Sequence, residues 1–77
     1  MKRLAVHSTM MASVGYDANQ ATLEIEFRTG DVYEYFEVPR EVFQALLDAP
    51  SKGRFFHAEI EAVYRFAQVA RAPTRRR

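Results

Sequence analysis

The chain has 77 residues, enough for one domain with a single hydrophobic core. It contains no cysteine, which excludes disulfides and cysteine ligation of zinc, and His7 and His57 alone make a poor metal set. We therefore expect no metal and no cofactor. Hydrophobic residues at 48% and charged residues at 27% are typical of a globular protein and exclude general disorder.

The net charge of +1 is distributed unevenly along the chain. Residues 71–77 carry four arginines and no acid, whereas residues 1–70 carry seven bases and ten acids. The body of the protein is therefore acidic and the end of the chain is basic. Residues 71–77 are predicted to form a disordered, solvated tail, because like charges repel and Pro73 blocks helix continuation.

Residues 1–5 are predicted to be a flexible leader, and residues 6–70 a single folded domain. The basic start is similar to that of a signal peptide, but the apolar run breaks at His7 and no segment reaches the length of a membrane span. We therefore expect a cytoplasmic protein without a membrane contact. A monomer is the favoured oligomeric state.

Three strands are predicted in the first half of the domain. Residues 10–16 fit a strand with one irregularity, because Val14 and Gly15 both disfavour a helix. Residues 22–28 alternate strictly between polar and apolar side chains, as a half-buried strand does. Residues 32–38 are rich in aromatic and β-branched side chains, so an antiparallel β-meander is expected.

The turn between the second and third predicted strands decides which face Tyr33 and Tyr35 occupy. A three-residue loop over residues 28–30 places Ile25 opposite Tyr33. Leu23 then lies opposite Tyr35, and both tyrosines join the core face. A two-residue loop shifts the pairing by one residue and exposes both. The three-residue loop is favoured, because threonine is a poor occupant of the positive-φ site in the shorter loop.

Two amphipathic helices are predicted to follow the meander and to pack on one of its faces. Pro39 fits a first helical position, and apolar residues recur at helical spacing to about Asp48. The second helix is predicted to end near residues 68–71. Its apolar stripe consists of Phe56, Ile60, Val63, Tyr64 and Ala67. The predicted fold class is α+β, with a three-stranded antiparallel sheet and two helices.

The sequence resembles the KTSC domain family over roughly residues 6–66. The resemblance rests on an ordered series of short motifs and single residues: Val6-His7-Ser8-Thr9, Met11, Val14-Gly15-Tyr16-Asp17, Phe27, Gly30, Tyr33-Glu34-Tyr35, Val38-Pro39, Ser51, Gly53, Phe56, Ile60 and Tyr64. Two positions depart from the family pattern. His57 stands where asparagine is usual, and Glu61 where a basic residue is usual. KTSC domains occur alone in bacterial proteins and at the C-terminus of some lysyl-tRNA synthetases, which implies a role in RNA binding.

Basic residues near the predicted helix starts are the leading candidates for phosphate contacts. Arg40 lies at the start of the first helix, and Ser51, Lys52 and Arg54 precede or begin the second. Backbone amides at a helix start, together with basic side chains, can hold a phosphate. More commonly, however, such basic residues are simply exposed to solvent at the surface. The arginines at the end of the chain either contact phosphates by charge or serve solubility alone: Arg71, Arg75, Arg76 and Arg77.

Tyr33 and Tyr35 are candidates for stacking on bases, although the favoured register makes them core residues. The predicted function is a non-catalytic module that binds RNA with weak sequence selectivity. The alternative is a protein-interaction module that uses a sheet edge or an aromatic patch.

Enzyme activity is not expected. His7 and Ser8 are adjacent, and adjacent side chains on a strand point to opposite faces, so the two cannot easily act together. His57 and Glu61 share a helix face, but such a pair is far more often a surface contact, and the sequence indicates no nucleophile beside it.

Overall fold

The computed structural model describes residues 2–71, which form an antiparallel sheet with helices packed on one face. Its five strands, in their order across the sheet, are β1 (Arg3–Ala5), β2 (Met11–Asp17), β3 (Thr22–Phe27), β4 (Val32–Tyr35) and β5 (Phe66–Ala70). Between β4 and β5 lie α1 (Arg40–Asp48), α2 (Lys52–Phe56) and a π-helical turn that continues α2 (His57–Glu61). No helix among the described residues is long and apolar enough to cross a membrane. The predicted α+β class is confirmed.

The predicted number of strands was wrong, because the sheet has five strands and not three. Strand β1 lies within the segment predicted to be a leader, and its three residues are all exposed. A strand this short, with Leu4 as its one large apolar side chain, lacks the alternation that identifies a strand in a sequence. Pairing with β2 establishes it instead, with Leu4 opposite Val14.

The end of the predicted second helix was also wrong. The helical segment ends at Glu61, and residues 66–70 form β5, which pairs antiparallel with β4. Ile60 is fully buried, but Val63 of the same predicted stripe is 60% exposed. Pairing with a distant strand overrides the local helical spacing, because it provides hydrogen-bond partners for the free edge of β4.

The predicted three-residue loop between β3 and β4 is confirmed. The Phe27 N–H donates a hydrogen bond to the carbonyl oxygen of Asp31 at 2.9 Å, and Ile25 lies opposite Tyr33. Gly30, the last loop residue, has a φ of 102°, which residues with a Cβ atom rarely adopt. Both tyrosines of β4 therefore point to the face that carries the core residues of β3.

The hydrophobic core lies between this face and the helices. Its buried residues are Met11, Val14, Leu23, Ile25, Tyr35, Val38, Leu46, Phe56 and Ile60. Each helical segment contributes one buried residue, and burying an apolar side chain of this size contributes about 1.5–3 kcal/mol. Tyr16 packs on the same face, with its ring centroid 5.2 Å from that of Phe43 on α1.

Candidate nucleic-acid interface

A cleft of about 570 Å³ opens between two loops at one end of the sheet. One loop joins β1 to β2 and the other joins α1 to α2, while the β3–β4 hairpin adds one side chain. We call this the basic cleft. Its lining residues are His7, Ser8, Thr9, Arg28, Pro50, Ser51, Lys52 and Gly53.

Ser8 organises the first loop of the basic cleft. Its Oγ atom accepts hydrogen bonds from the backbone N–H groups of Met10 at 3.1 Å and Met11 at 3.2 Å. This serine turn is a local alternative to strand pairing and sets the direction in which β2 begins. The carbonyl oxygen of Ser8 accepts a hydrogen bond from Arg28 Nε at 2.7 Å, which ties the hairpin to the loop.

Arg28 is thereby held at the cleft with most of its hydrogen-bonding capacity left over. A guanidinium group has five N–H donors, and the bond to Ser8 uses the one at Nε. The two terminal nitrogens form the planar fork that matches phosphate and carboxylate oxygens.

The second loop is held by the start of α2. The Ser51 Oγ atom accepts a hydrogen bond from the backbone N–H of Arg54 at 3.3 Å and so caps the helix. Lys52 Nζ donates to the carbonyl oxygen of Ala49 at 3.2 Å. A Cβ atom at Gly53 would lie 3.4 Å from the Met10 sulfur, an ordinary van der Waals contact, so the two loops lie close together at this position.

The charge of the basic cleft differs from that of the sheet's outer face, the face opposite the helices. Among the described residues that line the cleft, Arg28 and Lys52 are cationic and none is acidic. The outer face carries Glu24, Glu26 and Glu34, with Glu24 directly opposite Glu34. Arg3 lies 3.8 Å from Glu24 on this face, and the acidic side chains outnumber it. An anion is therefore attracted to the cleft and repelled from the outer face.

The structure places the predicted phosphate-binding residues in different regions. Ser51 and Lys52 line the basic cleft, and Arg54 is exposed on α2 outside the lining. Arg40 is exposed at the far end of α1, about 12 Å along the helix from the end that leads to the cleft.

Arg71, the first residue of the basic end of the chain, lies at the same end of the sheet as the cleft. Arg71 is exposed and follows β5, where Ala70 pairs with Val32 beside the β3–β4 hairpin. The other predicted tail residues, Arg75, Arg76 and Arg77, lie outside the described residues.

Four residues with polar side chains that the site prediction did not include also line the cleft: His7, Ser8, Thr9 and Arg28. His7, Ser8 and Thr9 belong to the first motif that carries the family resemblance, which was the available signal for them. Arg28 gave no such signal, because its position at the cleft follows from the meeting of two hairpin loops that are distant in sequence.

The two tyrosines proposed for base stacking lie on the core face. Tyr35 is 3% exposed, and its ring centroid lies 5.6 Å from that of Phe56 and 5.7 Å from that of Phe66. Burial raises the pKa of Tyr35, and the nearby Glu61 and Tyr33 raise it further. Tyr33 is half-buried on the same face. A ring as enclosed as that of Tyr35 has no open face on which a base can stack.

The two groupings considered for catalysis have ordinary structural explanations. Ser8 accepts the two backbone hydrogen bonds of its own turn. His57 Nδ1 and Glu61 Oε1 lie 2.6 Å apart, and both side chains are more than half exposed, as in a surface pair. Within residues 2–71, no group of three or more His, Cys, Asp or Glu side chains is arranged to hold a metal ion.

The fold and the cleft define a class of small α+β domain, in which an antiparallel meander carries short helices on one face and loops form a pocket at one end. The family model of the KTSC domain matches residues 7–70, and the chain belongs to the KTSC domain family. The resemblance seen in the sequence is therefore confirmed. The family is not a known catalytic family.

Three relatives show that this domain is found both in short proteins and as part of a longer one. The chain is 53% identical over 57 residues to an uncharacterized protein of Stutzerimonas stutzeri, covering 74% of this chain and 80% of the relative. It is 44% identical over 55 residues to a lysine–tRNA ligase of Trichormus variabilis, covering 71% of this chain but only 10% of the ligase. The crystal structure of a KTSC domain protein from Yersinia pestis superposes with a TM-score of 0.87 at 36% identity, covering 90% of this chain and 97% of that one.

Proposed function

We propose that this domain is a non-catalytic, cytoplasmic RNA-binding module of bacteria that holds the phosphate backbone in its basic cleft. The observation that carries the proposal is that Arg28, Lys52 and His7 line one cleft together with two serines and a threonine. None of the described residues that line this cleft is acidic. Arginine forks, lysine ammonium groups and hydroxyls are the side chains that contact phosphate most often.

Weak sequence selectivity follows from the composition of the cleft. Contacts to phosphate position a nucleic acid but carry no direct sequence information. Base stacking needs exposed aromatic rings, and the lining residues of the cleft include no phenylalanine, tyrosine or tryptophan among the residues described. Binding is therefore expected to depend mainly on charge and on salt concentration.

The distribution of charge and the relatives both support this proposal. The acidic outer face directs an RNA strand toward the cleft, and Arg71 leaves the sheet at the same end. The matched ligase is named for a reaction that involves tRNA, and this domain corresponds to a tenth of that protein.

The proposal is tested by fluorescence anisotropy with labelled single-stranded RNA over a series of salt concentrations. The variant Arg28→Gln/Lys52→Gln is expected to bind on the order of tenfold more weakly, with a salt slope smaller by about 0.7 for each phosphate contact removed. Arg40→Gln is the matched control, because Arg40 is an exposed base at the other end of α1.

Two results would contradict the proposal. One is the absence of salt-dependent binding at tens of micromolar protein. The other is an equal loss of affinity in the Arg40→Gln control, which would assign binding to overall charge and not to the cleft. Deletion of residues 71–77 measures the separate contribution of the basic tail.

A second candidate function, protein interaction, is favoured by the edge strand β5. All five of its residues are exposed, and none of them is charged. An edge without charged side chains readily pairs with an additional strand. A partner retained in a pull-down after nuclease treatment favours this function, whereas recovery of ribonucleoprotein alone counts against it.

A further inference from the structure

A second opening, separate from the basic cleft, lies on the helix-covered face beside β4 and β5. It has a volume of about 270 Å³ and shares no lining residue with the cleft. We call it the aromatic groove. Its lining residues are Met10, Phe27, Tyr33, Tyr35, Phe56, Glu61 and Phe66.

Aromatic rings form most of the wall of this groove. Phe66, on β5, lies with its ring centroid 5.6 Å from that of Tyr33 and 5.7 Å from that of Tyr35. Phe27 makes an edge contact with Tyr33 at 5.7 Å. Phe66 is nevertheless 55% exposed, so part of this aromatic wall is accessible from solvent. The faces of such rings carry negative electrostatic potential and attract cations.

Glu61 is the charged residue among the described residues that line the groove. Its side chain is 54% exposed, and its Oε1 atom lies 2.6 Å from His57 Nδ1. A carboxylate has two oxygens with about four acceptor positions, so this contact leaves capacity for a further donor. Glu61 also acts electrostatically on Tyr35 at the base of the groove, since it is among the causes that raise the pKa of Tyr35.

We propose that the aromatic groove binds the guanidinium group of an arginine side chain from a partner polypeptide. The planar guanidinium stacks against the exposed ring of Phe66 while its N–H groups donate to the Glu61 carboxylate. An apolar occupant would cover the Glu61 carboxylate without supplying a donor to the acceptor positions that the contact with His57 leaves over, and an anion would be repelled by it. With a volume of about 270 Å³, the groove can hold a single side chain but is too small for a folded partner.

The position of the groove indicates why the arginine belongs to a polypeptide. Strand β5 is the edge of the sheet, and Phe66 begins it. An extended segment that pairs along β5 directs alternate side chains to the helix-covered face, where the groove opens. This inference does not depend on RNA binding in the cleft, because the two openings share no residue.

The test is a nuclear magnetic resonance titration of the full chain with a short blocked peptide that has a central arginine. Matched peptides carry citrulline, which has the same shape without the charge, or lysine at that position. The arginine peptide is expected to shift the backbone amide signals of Tyr33, Glu61 and Phe66. The citrulline and lysine peptides are expected to bind on the order of tenfold more weakly.

Two variants locate the binding site. Glu61→Gln is expected to weaken binding of the arginine peptide on the order of tenfold, whereas Glu59→Gln, an exposed neighbour on the same π-helical turn that does not line the groove, is expected to bind like the wild type. Both positions are exposed, so folding is preserved in each.

The proposal fails if the citrulline or the lysine peptide binds as tightly as the arginine peptide, or if the Glu61→Gln and Glu59→Gln variants bind equally. Shifts confined to His7 and Lys52 would place peptide binding in the basic cleft and would also overturn it. Loss of RNA binding in the cleft variants has no bearing on these outcomes.

Discussion

The basic cleft and the aromatic groove are built in different ways. The cleft lies between loops, and its walls are held by hydrogen bonds of Ser8, Ser51 and Arg28. The groove is formed by side chains of β3, β4, β5, α2 and the π-helical turn together with Met10, and Tyr35 and Phe56 in its wall also belong to the hydrophobic core. Close-packed side chains cannot change without a loss of stability, whereas loops tolerate change. We therefore expect substitutions of the buried groove residues Tyr35 and Phe56 to destabilise the fold strongly and substitutions in the cleft to do so weakly.

The largest effect is expected for Tyr35→Ala. Tyr35 is 3% exposed and contacts Phe56 and Phe66, so the truncation removes a buried ring and leaves a cavity. The free energy of unfolding, measured by urea denaturation, is expected to fall by about 3–5 kcal/mol. Tyr35→Phe is the control, because it keeps the ring. If Tyr35→Ala lowers the free energy of unfolding no more than the substitution of a cleft serine does, the expected difference between the two sites is wrong.

An intermediate effect is expected when the pH is raised. Burial, followed by the charges of Glu61 and Tyr33, raises the pKa of Tyr35 above its ordinary value of 10.0. Above this pH the unfolded chain loses the Tyr35 proton while the folded protein keeps it. The contribution of the Tyr35 hydroxyl to the free energy of unfolding is therefore complete below pH 10.0. Above this pH the free energy of unfolding falls, by at most about 1.4 kcal/mol per pH unit.

The pH effect is measured as the free energy of unfolding in urea at a series of alkaline pH values. Tyr35→Phe is expected to decline less steeply than the wild type over this range, since it has no hydroxyl to ionise. Identical slopes for the two proteins would mean that the Tyr35 hydroxyl is hydrated, and that the groove is more open than the structure indicates.

The smallest effects are expected for the cleft serines. Ser8→Ala removes the acceptor for two backbone N–H groups, and Ser51→Ala removes the cap of α2. Each substitution is expected to lower the free energy of unfolding by about 1 kcal/mol, as measured by thermal or urea denaturation. Ser8→Thr keeps the hydroxyl and serves as the control. A loss above about 3 kcal/mol at either serine would show that the cleft is as closely coupled to the core as the groove is.

The same difference explains which parts of the two sites could be predicted from the sequence. The strict alternation in β3 and the three-residue loop that ends at Gly30 determine which face Tyr33 and Tyr35 occupy. The position of these two groove residues on the core face could therefore be predicted from local patterns. Ser51 and Lys52 were predicted as phosphate-binding candidates from their position at the start of a helix, and both line the cleft. These features depend on residues that are close in sequence.

The features that were missed depend on contacts between distant segments. Arg28 joins the cleft because its hairpin lies beside the β1–β2 loop, where it bonds to Ser8. Phe66 joins the groove because β5 pairs with β4, although its surroundings have helical spacing. Neither the spacing of apolar residues nor the turn signals contain this information.

The pairing of β4 with β5 also has a consequence for the order of folding. Within residues 2–71, the other neighbouring strands are joined by short connections, whereas β4 and β5 are separated by all of the helical segments. Closing a longer loop costs more entropy, so contacts of this range form late. Phe66 reaches Tyr33 and Tyr35 only through this pairing. A nascent chain can thus complete its first four strands before the aromatic groove exists. Binding of an arginine peptide in the groove therefore reports on the last step of folding.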